Sequence, residues 1–333
     1  MRAPEPPSYI DAMTLSIVMP TYNGGAYLQE AVRSVLAQSC QDWELLISDD
    51  GSRDGTRDFL RQLDDPRIKV FFQEKNLGIF GNLNFLFQQV RTDITQIFCQ
   101  DDWLVDAGAL QRLVDTWQTL PPDIAFLRAN HGAEQGGSSL ARLEEAVLPA
   151  IVRPEQSDRF FFLFGCIPGN LSNVSLRTRI VAEHGWFDQR LPYAGDFEFW
   201  SRVGHREPWA ISPVRVTTVR VHEGQASATL NKVGELMPQM GTVLRTLYDR
   251  LIQAGTSPLK LKLVASVCYI STHRWQGLQW FRRTRSWQYM QMANRHLGNQ
   301  RFALGFVSGW LAFLATAGGR LGRLAAARWL LAH

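Results

Sequence analysis

Four short apolar runs, Leu15 to Met19, Trp43 to Ser48, Ile68 to Phe72 and Ile94 to Cys99, are separated by stretches whose apolar residues recur at helical spacing. The intervening sets are Leu28, Ala31, Val32, Val35 and Leu36, then Phe59, Leu60 and Leu63, then Leu83, Leu86, Phe87 and Val90. Apolar residues three and four apart form one face of a helix. A chain that reads strand, helix, strand, helix folds as a parallel sheet with right-handed crossovers and helices on its faces. The predicted class is therefore α/β, an open and mostly parallel sheet sandwiched by helices. Ligands of such sheets bind beyond the carboxyl ends of the strands. That rule selects Pro20 to Gly25, Asp49 to Ser52, Glu74 to Gly78 and Gln100 to Asp102, segments dominated by Gly, Asn, Asp and other polar residues.

Asp101 and Asp102 close an apolar strand, so their carboxylates repel each other unless a cation lies between them. A hard divalent ion with oxygen ligands, Mn2+ or Mg2+, is the natural partner, completed by water and by phosphate oxygens of a substrate. The chain carries neither G-x-x-x-x-G-K-[ST] nor a G-x-G-x-x-G after its first strand, which removes support from kinase and dehydrogenase readings. Its four cysteines, Cys40, Cys99, Cys166 and Cys268, are far apart and signal neither a disulfide framework nor a zinc cluster. A reducing, cytoplasmic setting follows, and the first eleven residues show no apolar run of the kind an export signal needs.

The run S-I-V-M-P-T-Y-N-G from Ser16 to Gly24, together with S-D-D-G-S-R-D-G-T from Ser48 to Thr56, resembles glycosyltransferase family 2. The resemblance extends from about Leu15 to Ser227. It implies the GT-A fold, a nucleotide-sugar donor and a divalent metal held through a D-x-D or D-D element, which Gln100, Asp101 and Asp102 match. The N-L-G-I run from Asn76 to Ile79, with Asn82 and Asn84, matches the region between the third strand and the metal site. Carried over residue by residue, the resemblance puts Pro20, Thr21, Tyr22, Asn23, Asp50, Asn76 and Gly78 on the donor, with Asp49 a weaker member. Tyr22 would pack on the base and Asp50 would accept its imide hydrogen, although Tyr22 could equally be a packing residue at a strand end. Asp101 would bind the ribose side and Asp102 the metal.

The run Y-A-G-D-F-E-F-W from Tyr193 to Trp200 resembles the family's E-D element ahead of a helix with W-x-R, here Trp200 to Arg202. Gly195 replaces the first acid. Asp196 keeps the second, the position of the catalytic base in inverting members, with Glu198 as its fallback; a helix N-cap is the competing role for Asp196. In R-V-H-E-G-Q-A-S from Arg220, after a strand-like run over 214–221, His222 matches the family's R-x-H element and is assigned to the metal or the diphosphate. Gly165 to Asn173 and G-W-F-D from Gly185 resemble the acceptor-facing loops, where Trp186 offers a face for a sugar.

The expected organisation is a disordered tail over 1–12, a transferase domain over 13–227 and a helical basic region over 228–333. Within the domain, 13–105 form the nucleotide-sugar half and 106–227 the acceptor half. From Arg250 to His333 the chain holds 12 of its 35 Lys and Arg and none of its 31 Asp and Glu. Five of the 11 tryptophans lie there as well. Basic and aromatic residues together suit an anionic membrane surface, and a helical lid packed on the sheet is the competing reading. The uncharged run Phe302 to Gly319 is borderline for crossing a bilayer, being interrupted by four glycines. Nucleic acid is not an expected partner, because an acidic body would be repelled by its phosphates. S-T-H-R-W from Ser271 only echoes the Q-x-x-R-W signature of processive synthases, since serine replaces the glutamine.

The sequence thus points to a metal-dependent, inverting, non-processive transferase of the hexosyltransferase type. It would act on a glycan or lipid-linked acceptor of cell-surface polysaccharide synthesis, in the cytoplasm or peripherally on the inner face of the cytoplasmic membrane. A nucleotidyltransferase and a non-catalytic glycan-binding scaffold are the rivals. The first would release pyrophosphate instead of a nucleoside diphosphate, and the second nothing.

Overall fold

The computed structural model describes residues 15–131, 144–220, 236–319 and 321–332; the tail over 1–12 and His222 lie outside them. Ten strands, β1 (Leu15–Thr21), β2 (Trp43–Asp49), β3 (Ile68–Phe72), β4 (Ile94–Ile97), β5 (Trp103–Leu104), β6 (Phe126–Arg128), β7 (Ile151–Val152), β8 (Val174–Arg177), β9 (Trp209–Ile211) and β10 (Thr217–Thr218), are present among the described residues. Eight form one sheet in the order β3-β2-β1-β4-β8-β6-β9-β7, and β5 pairs with β10 in a separate ribbon. The pairings β1–β2, β2–β3, β1–β4 and β6–β9 are parallel; β8 runs antiparallel to both β4 and β6, and β7 to β9. This is the expected mostly parallel α/β sheet of the GT-A type, with antiparallel pairings confined to its second half.

The parallel half forms where its strands read as continuous apolar runs, because both faces of such strands are covered. On one face α1 (Gly25–Leu36) buries Leu28, Ala31, Val32 and Val35, and α4 (Ala109–Thr119) buries Leu110, Leu113 and Trp117. Their core includes Ile17, Leu45, Ile47 and Ile94 from the strands and Leu60 from α2 (Thr56–Arg61). On the other face, α3 (Gly78–Gln89), α5 (Pro154–Phe164) and α7 (Gly195–Gly204), flanking the short α6 (Arg179–Glu183), pack over Val18, Leu46 and Ile97.

The strand-like run over 214–221 contracts to Thr217–Thr218 among the described residues. The Asn130 side chain intercepts its backbone, accepting from Val216 N–H at 2.9 Å and donating to Thr217 O at 3.0 Å.

Beyond residue 235 the chain is helical: α8 (Leu236–Gln253), α9 (Pro258–Ala265), a π-helical turn Ser266–Ile270, α10 (Ser271–Thr284), α11 (Gln288–Ala293), α12 (Phe306–Ala315) and α13 (Arg323–Leu331). Leu247, Leu261, Val264, Cys268, Phe302 and Leu330 of this region share one buried cluster with Phe161 and Phe197 of α5 and α7. The basic tail therefore packs on the sheet's helical layer. Within the run Phe302 to Gly319 the helix α12 has only 10 residues, beginning after Gly305, and no helix of the described residues is long and apolar enough to cross a membrane.

Candidate active site

At the carboxyl end of β1 the strand continues past Met19, placing Pro20 opposite Ser48 and Thr21 opposite Asp49. The turn that follows is built by cross-loop bonds. Asn23, with φ +48°, donates its N–H to Ser52 Oγ at 2.8 Å and accepts from Arg53 N–H through its side chain at 2.9 Å. Gln100 grips the Tyr22 backbone, accepting its N–H at 3.0 Å and donating to its carbonyl at 2.9 Å. The Tyr22 ring itself is 45% exposed. Gly24 is obligatory for this grip, because a Cβ there would lie 2.8 Å from Gln100 Oε1.

Asp50, Asn76 and Gly78 form a second knot. The two oxygens of the buried Asp50 carboxylate accept from Leu77 N–H at 2.7 Å and Gly78 N–H at 3.0 Å. Asn76 donates to Asp50 O at 3.1 Å and accepts from Gly78 N–H at 3.0 Å. Gly78 has φ +73°, a conformation that glycine adopts without strain. Burial pushes the Asp50 carboxyl up, and the two N–H donors pull against that. Asp49 belongs elsewhere. Fully buried, it pairs with Arg57 Nε at 2.6 Å and accepts from Ser52 N–H at 3.3 Å, while Arg57 also donates to Gln73 O at 2.7 Å. Its carboxylate clamps the loop after β2.

After β4 come Asp101, half-buried, and Asp102, which has no exposed surface. Asp102 accepts from Ser172 Oγ at 2.5 Å on one oxygen and from Arg220 N–H at 2.9 Å on the other. Burial, aided by the neighbouring Asp101 charge, pushes its carboxyl up to about 6 against these donors. Arg220 is itself fixed. It donates to Asp101 O at 2.9 Å, pairs with Glu30, and lies between the rings of Tyr27 and Trp103 at 4.4 and 4.7 Å. A cavity of about 370 Å³ beside it is lined by Glu30, Arg33, Ser34, Trp103 and Arg220.

Ligand atoms of Cys99, Asp101 and Asp102 lie within 4.8 Å of one another. The two carboxylates suit a hard divalent ion. The Cys99 thiol, pushed upward by burial and then by the charges of Asp102 and Asp101, is not the thiolate a softer metal takes. A second group, Glu183, His184 and Glu207, already holds a cation, since Arg179 bridges both carboxylates at 2.5 Å.

Asp196 is the second residue of α7, whose N-cap is Ala194, so it is not the N-cap residue. Half-buried, it accepts from the adjacent Phe197 N–H at 2.7 Å and from the Cys166 thiol at 3.6 Å. Burial pushes its carboxyl up to about 6. Gly195 stands where the resemblance expects an acid, and a Cβ there would be 2.7 Å from the Phe80 ring, which occupies that space. Glu198 is not a spare base: Arg202 grips it with two bonds at 2.7 and 2.8 Å and also donates to the carbonyls of His184, Gly185 and Trp186. The same Arg202 fixes the loop that presents Trp186, whose ring is 40% exposed. Asn84 secures the same loop, donating to Phe187 O at 2.9 Å and accepting from its N–H at 3.0 Å.

One loop joins the two carboxylate sites. Between Gly165 and Asn173, Cys166 touches Asp196, Asn170 lies 3.8 Å from Cys99 Sγ, and Ser172 holds both Asp102 and the Cys99 N–H. Cys166, Ser172 and the backbone of Arg220 were not among the predicted site residues. Only the neighbourhood of each was marked by the sequence, as the acceptor-facing loop and the R-x-H run.

Residues 16–170 match the profile described as glycosyl transferase family 2. A beta-1,3-glucosyltransferase of Escherichia coli, WfgD, named for transfer from UDP-Glc to alpha-D-GlcNAc-diphosphoundecaprenol, is 30% identical over 123 residues, 37% of this chain and 47% of its own. Other curated relatives are matched over 34–38% of their own length. Among solved structures, S. aureus TarS 1–349 in complex with UDP-GlcNAc has a TM-score of 0.60 at 16% identity, covering 96% of this chain and 91% of that one. The mannosyltransferase PcManGT of Pyrobaculum calidifontis, in complex with GDP-Man and Mn2+, has a TM-score of 0.52 at 15% identity, covering 96% and 87%. At these identities the likeness establishes the fold.

Proposed function

Because residues 16–170 match the glycosyl transferase family 2 profile, we propose that the chain moves a sugar from a nucleotide diphosphate donor to an acceptor hydroxyl, with inversion at the sugar carbon. The observation that carries this reading is the single loop, Gly165 to Asn173, whose side chains reach both Asp102 and Asp196. A donor site and a base are thereby held at one edge of the sheet, where ligands of α/β folds bind.

The donor lies against Pro20, Thr21, Tyr22 and Asn23, with the Tyr22 ring on the base and the Asp50 knot, including Asn76 and Gly78, receiving its polar edge. Asp101 takes the ribose side. Asp102, with Asp101 beside it, would hold a manganese or magnesium ion, which would supply positive charge for a leaving diphosphate. PcManGT, solved with Mn2+, supports that choice of ion. Asp196, with its carboxyl raised to about 6, is ionised at neutral pH and still basic enough to take the acceptor hydroxyl proton. The oxygen then bonds to the sugar carbon as the bond to the diphosphate breaks. Trp186 offers the acceptor a stacking face.

The acceptor is a lipid-linked or cell-surface glycan intermediate, the class named for the E. coli relative, and the enzyme works in the cytoplasm or at the inner face of the cytoplasmic membrane. Incubation of the purified chain with Mn2+, a panel of nucleotide sugars and an undecaprenyl-diphosphate-linked sugar tests this. The expected result is release of a nucleoside diphosphate with a gain of one sugar mass on the acceptor, in the inverted anomeric configuration. Pyrophosphate release from a nucleoside triphosphate, or no turnover across the panel, would overturn it.

A further inference from the structure

The outer stripe of α12 is apolar where a surface helix normally carries charge. Val307, Leu311 and Leu314, four and three residues apart, share one face and are 70%, 62% and 70% exposed. Phe306 precedes them and Leu321 and Leu324 follow, all exposed, and no charged residue occurs between Phe302 and Gly319. The orientation is locked from beneath. Gly309 and Phe313 face inward, and the buried Arg274 donates to Gly309 O with Trp310 5.0 Å from its guanidinium. A Cβ at Gly309 would lie 2.7 Å from Arg274, so glycine lets α12 sit down on that side chain. The stripe is thus held outward and uncovered within the described residues.

The tail that carries this helix is basic and aromatic. Arg282, Arg283, Arg285, Arg295 and Arg328 are exposed, and no Asp or Glu follows Asp249. Lys260 lies 5.3 Å over the exposed Trp329 ring, and Trp275 borders the packing of Phe313 and Gly318 at the end of α12. Helices α12 and α13 both pack on the turn Ser266–Ile270. A second copy of the chain would bring like charges together, and a nucleic acid makes no use of an aliphatic ridge. An anionic bilayer surface accepts both the ridge and the cations.

We propose that the α12 face, with the exposed cations and tryptophans of the tail, docks the protein on an anionic membrane surface. With 10 residues, α12 is too short to span and lies in the plane of the interface. Helix α8 packs on α7, the helix that carries Asp196, and α13 packs on α5, so docking sets the height of the site above the lipid. The inference rests on the tail alone and does not depend on the transferase reading.

Co-sedimentation of the full chain with phosphatidylcholine vesicles, with and without phosphatidylglycerol, is the test. Binding is expected to the anionic vesicles and to weaken in high salt. The doubly substituted Leu311→Glu, Leu314→Glu protein, altered only at exposed positions, is expected to lose about tenfold or more in partitioning. Arg328→Glu, which leaves the ridge intact, should show a smaller loss. Equal partitioning of the double variant, or equal binding to neutral and anionic vesicles, would overturn the proposal. So would sedimentation velocity without lipid in which the parent self-associates and the double variant is monomeric, since the face would then pair with a second copy. Unchanged nucleotide-sugar binding by the variant separates a failed docking surface from a failed donor site.

Discussion

On the proposed reading, the donor edge and the acceptor side hold their carboxylates differently. At the donor edge Asp50 and Asp102 each meet a hydrogen donor on both oxygens, and behind them Asp49 is pinned by Arg57 and Ser52. On the acceptor side Asp196 meets one adjacent N–H and one thiol, a weak donor, in an apolar setting. Hydrogen bonds to a carboxylate fix its position and favour its charge, yet burial raises Asp102 and Asp196 alike to about 6. The two therefore differ in how firmly each is fixed, Asp102 between two donors and Asp196 by one adjacent N–H and a thiol.

The sharpest way to break this contrast is Asp196→Asn. A general base contributes about 10²- to 10⁴-fold, so turnover should fall by that order while donor affinity, measured by calorimetry, stays near the parent value. A matching loss of donor affinity would place Asp196 among the recognition groups instead. Next in size is Ser172→Ala, which removes the 2.5 Å bond to Asp102. Loss of such a supporting bond typically costs about 10- to 100-fold in metal affinity, and a Mn2+ titration of donor binding should record a shift of that order with kcat less affected. An unchanged titration would mean that burial and the Arg220 N–H suffice to hold Asp102.

The pH profile sharpens the same comparison. With the Asp196 carboxyl at about 6, kcat/KM should be level above that pH and fall below it, by about tenfold per unit for Asp196 alone and more steeply where Asp102, also raised to about 6, takes a proton as well. Stability has the opposite sign. A carboxyl raised in the folded state holds its proton more tightly there, so its contribution is greatest at acid pH and declines as pH rises from the ordinary carboxylate value, near 3.8, to about 6. Thermal melts of Asp196→Asn across that window should show a shallower decline than the parent.

Two smaller effects follow from packing and pairing. Gly195→Ala should destabilise by about 1–3 kcal/mol, because its Cβ meets the Phe80 ring, and Phe80→Leu in the same chain should restore part of the loss in a denaturant melt. Glu198→Gln should cost no more than about 1 kcal/mol and leave turnover nearly unchanged, since Gln still accepts from Arg202. A large fall in turnover would return Glu198 to the chemistry.

Much of the donor half was legible in order along the chain. β1 to β4 and α1 to α3 appear where apolar runs alternate with helical spacing, shifted by a few residues at their ends, and the acids Asp50, Asp101 and Asp102 fall at strand ends because the turn residues beside them mark those ends. The limits lay in which way each acid faces. Asp49 is the last residue of β2 and Asp50 the first beyond it, and nothing local says which one meets Arg57. For Glu198 the Arg four residues on was visible as a helical pair, but not the three carbonyls that make Arg202 a loop anchor.

By itself the sequence determined the alternating architecture, the edge at which ligands bind and the division between an acidic body and a basic tail, because each is written in local periodicity, turn chemistry or composition. Only the tertiary structure decided the partners of the reactive groups. Ser172 reaches Asp102 across 70 residues and the Arg220 N–H across 118, and Phe80 fills the space that leaves room only for glycine at 195. It also decided that the tail both packs on the sheet's helices and keeps the α12 ridge outward, since Gly309 over Arg274 sets which face is buried. Contacts between residues so far apart leave no periodic trace. They arise when two surfaces meet, and their consequences for burial, and hence for proton affinity, exist only after that packing is complete.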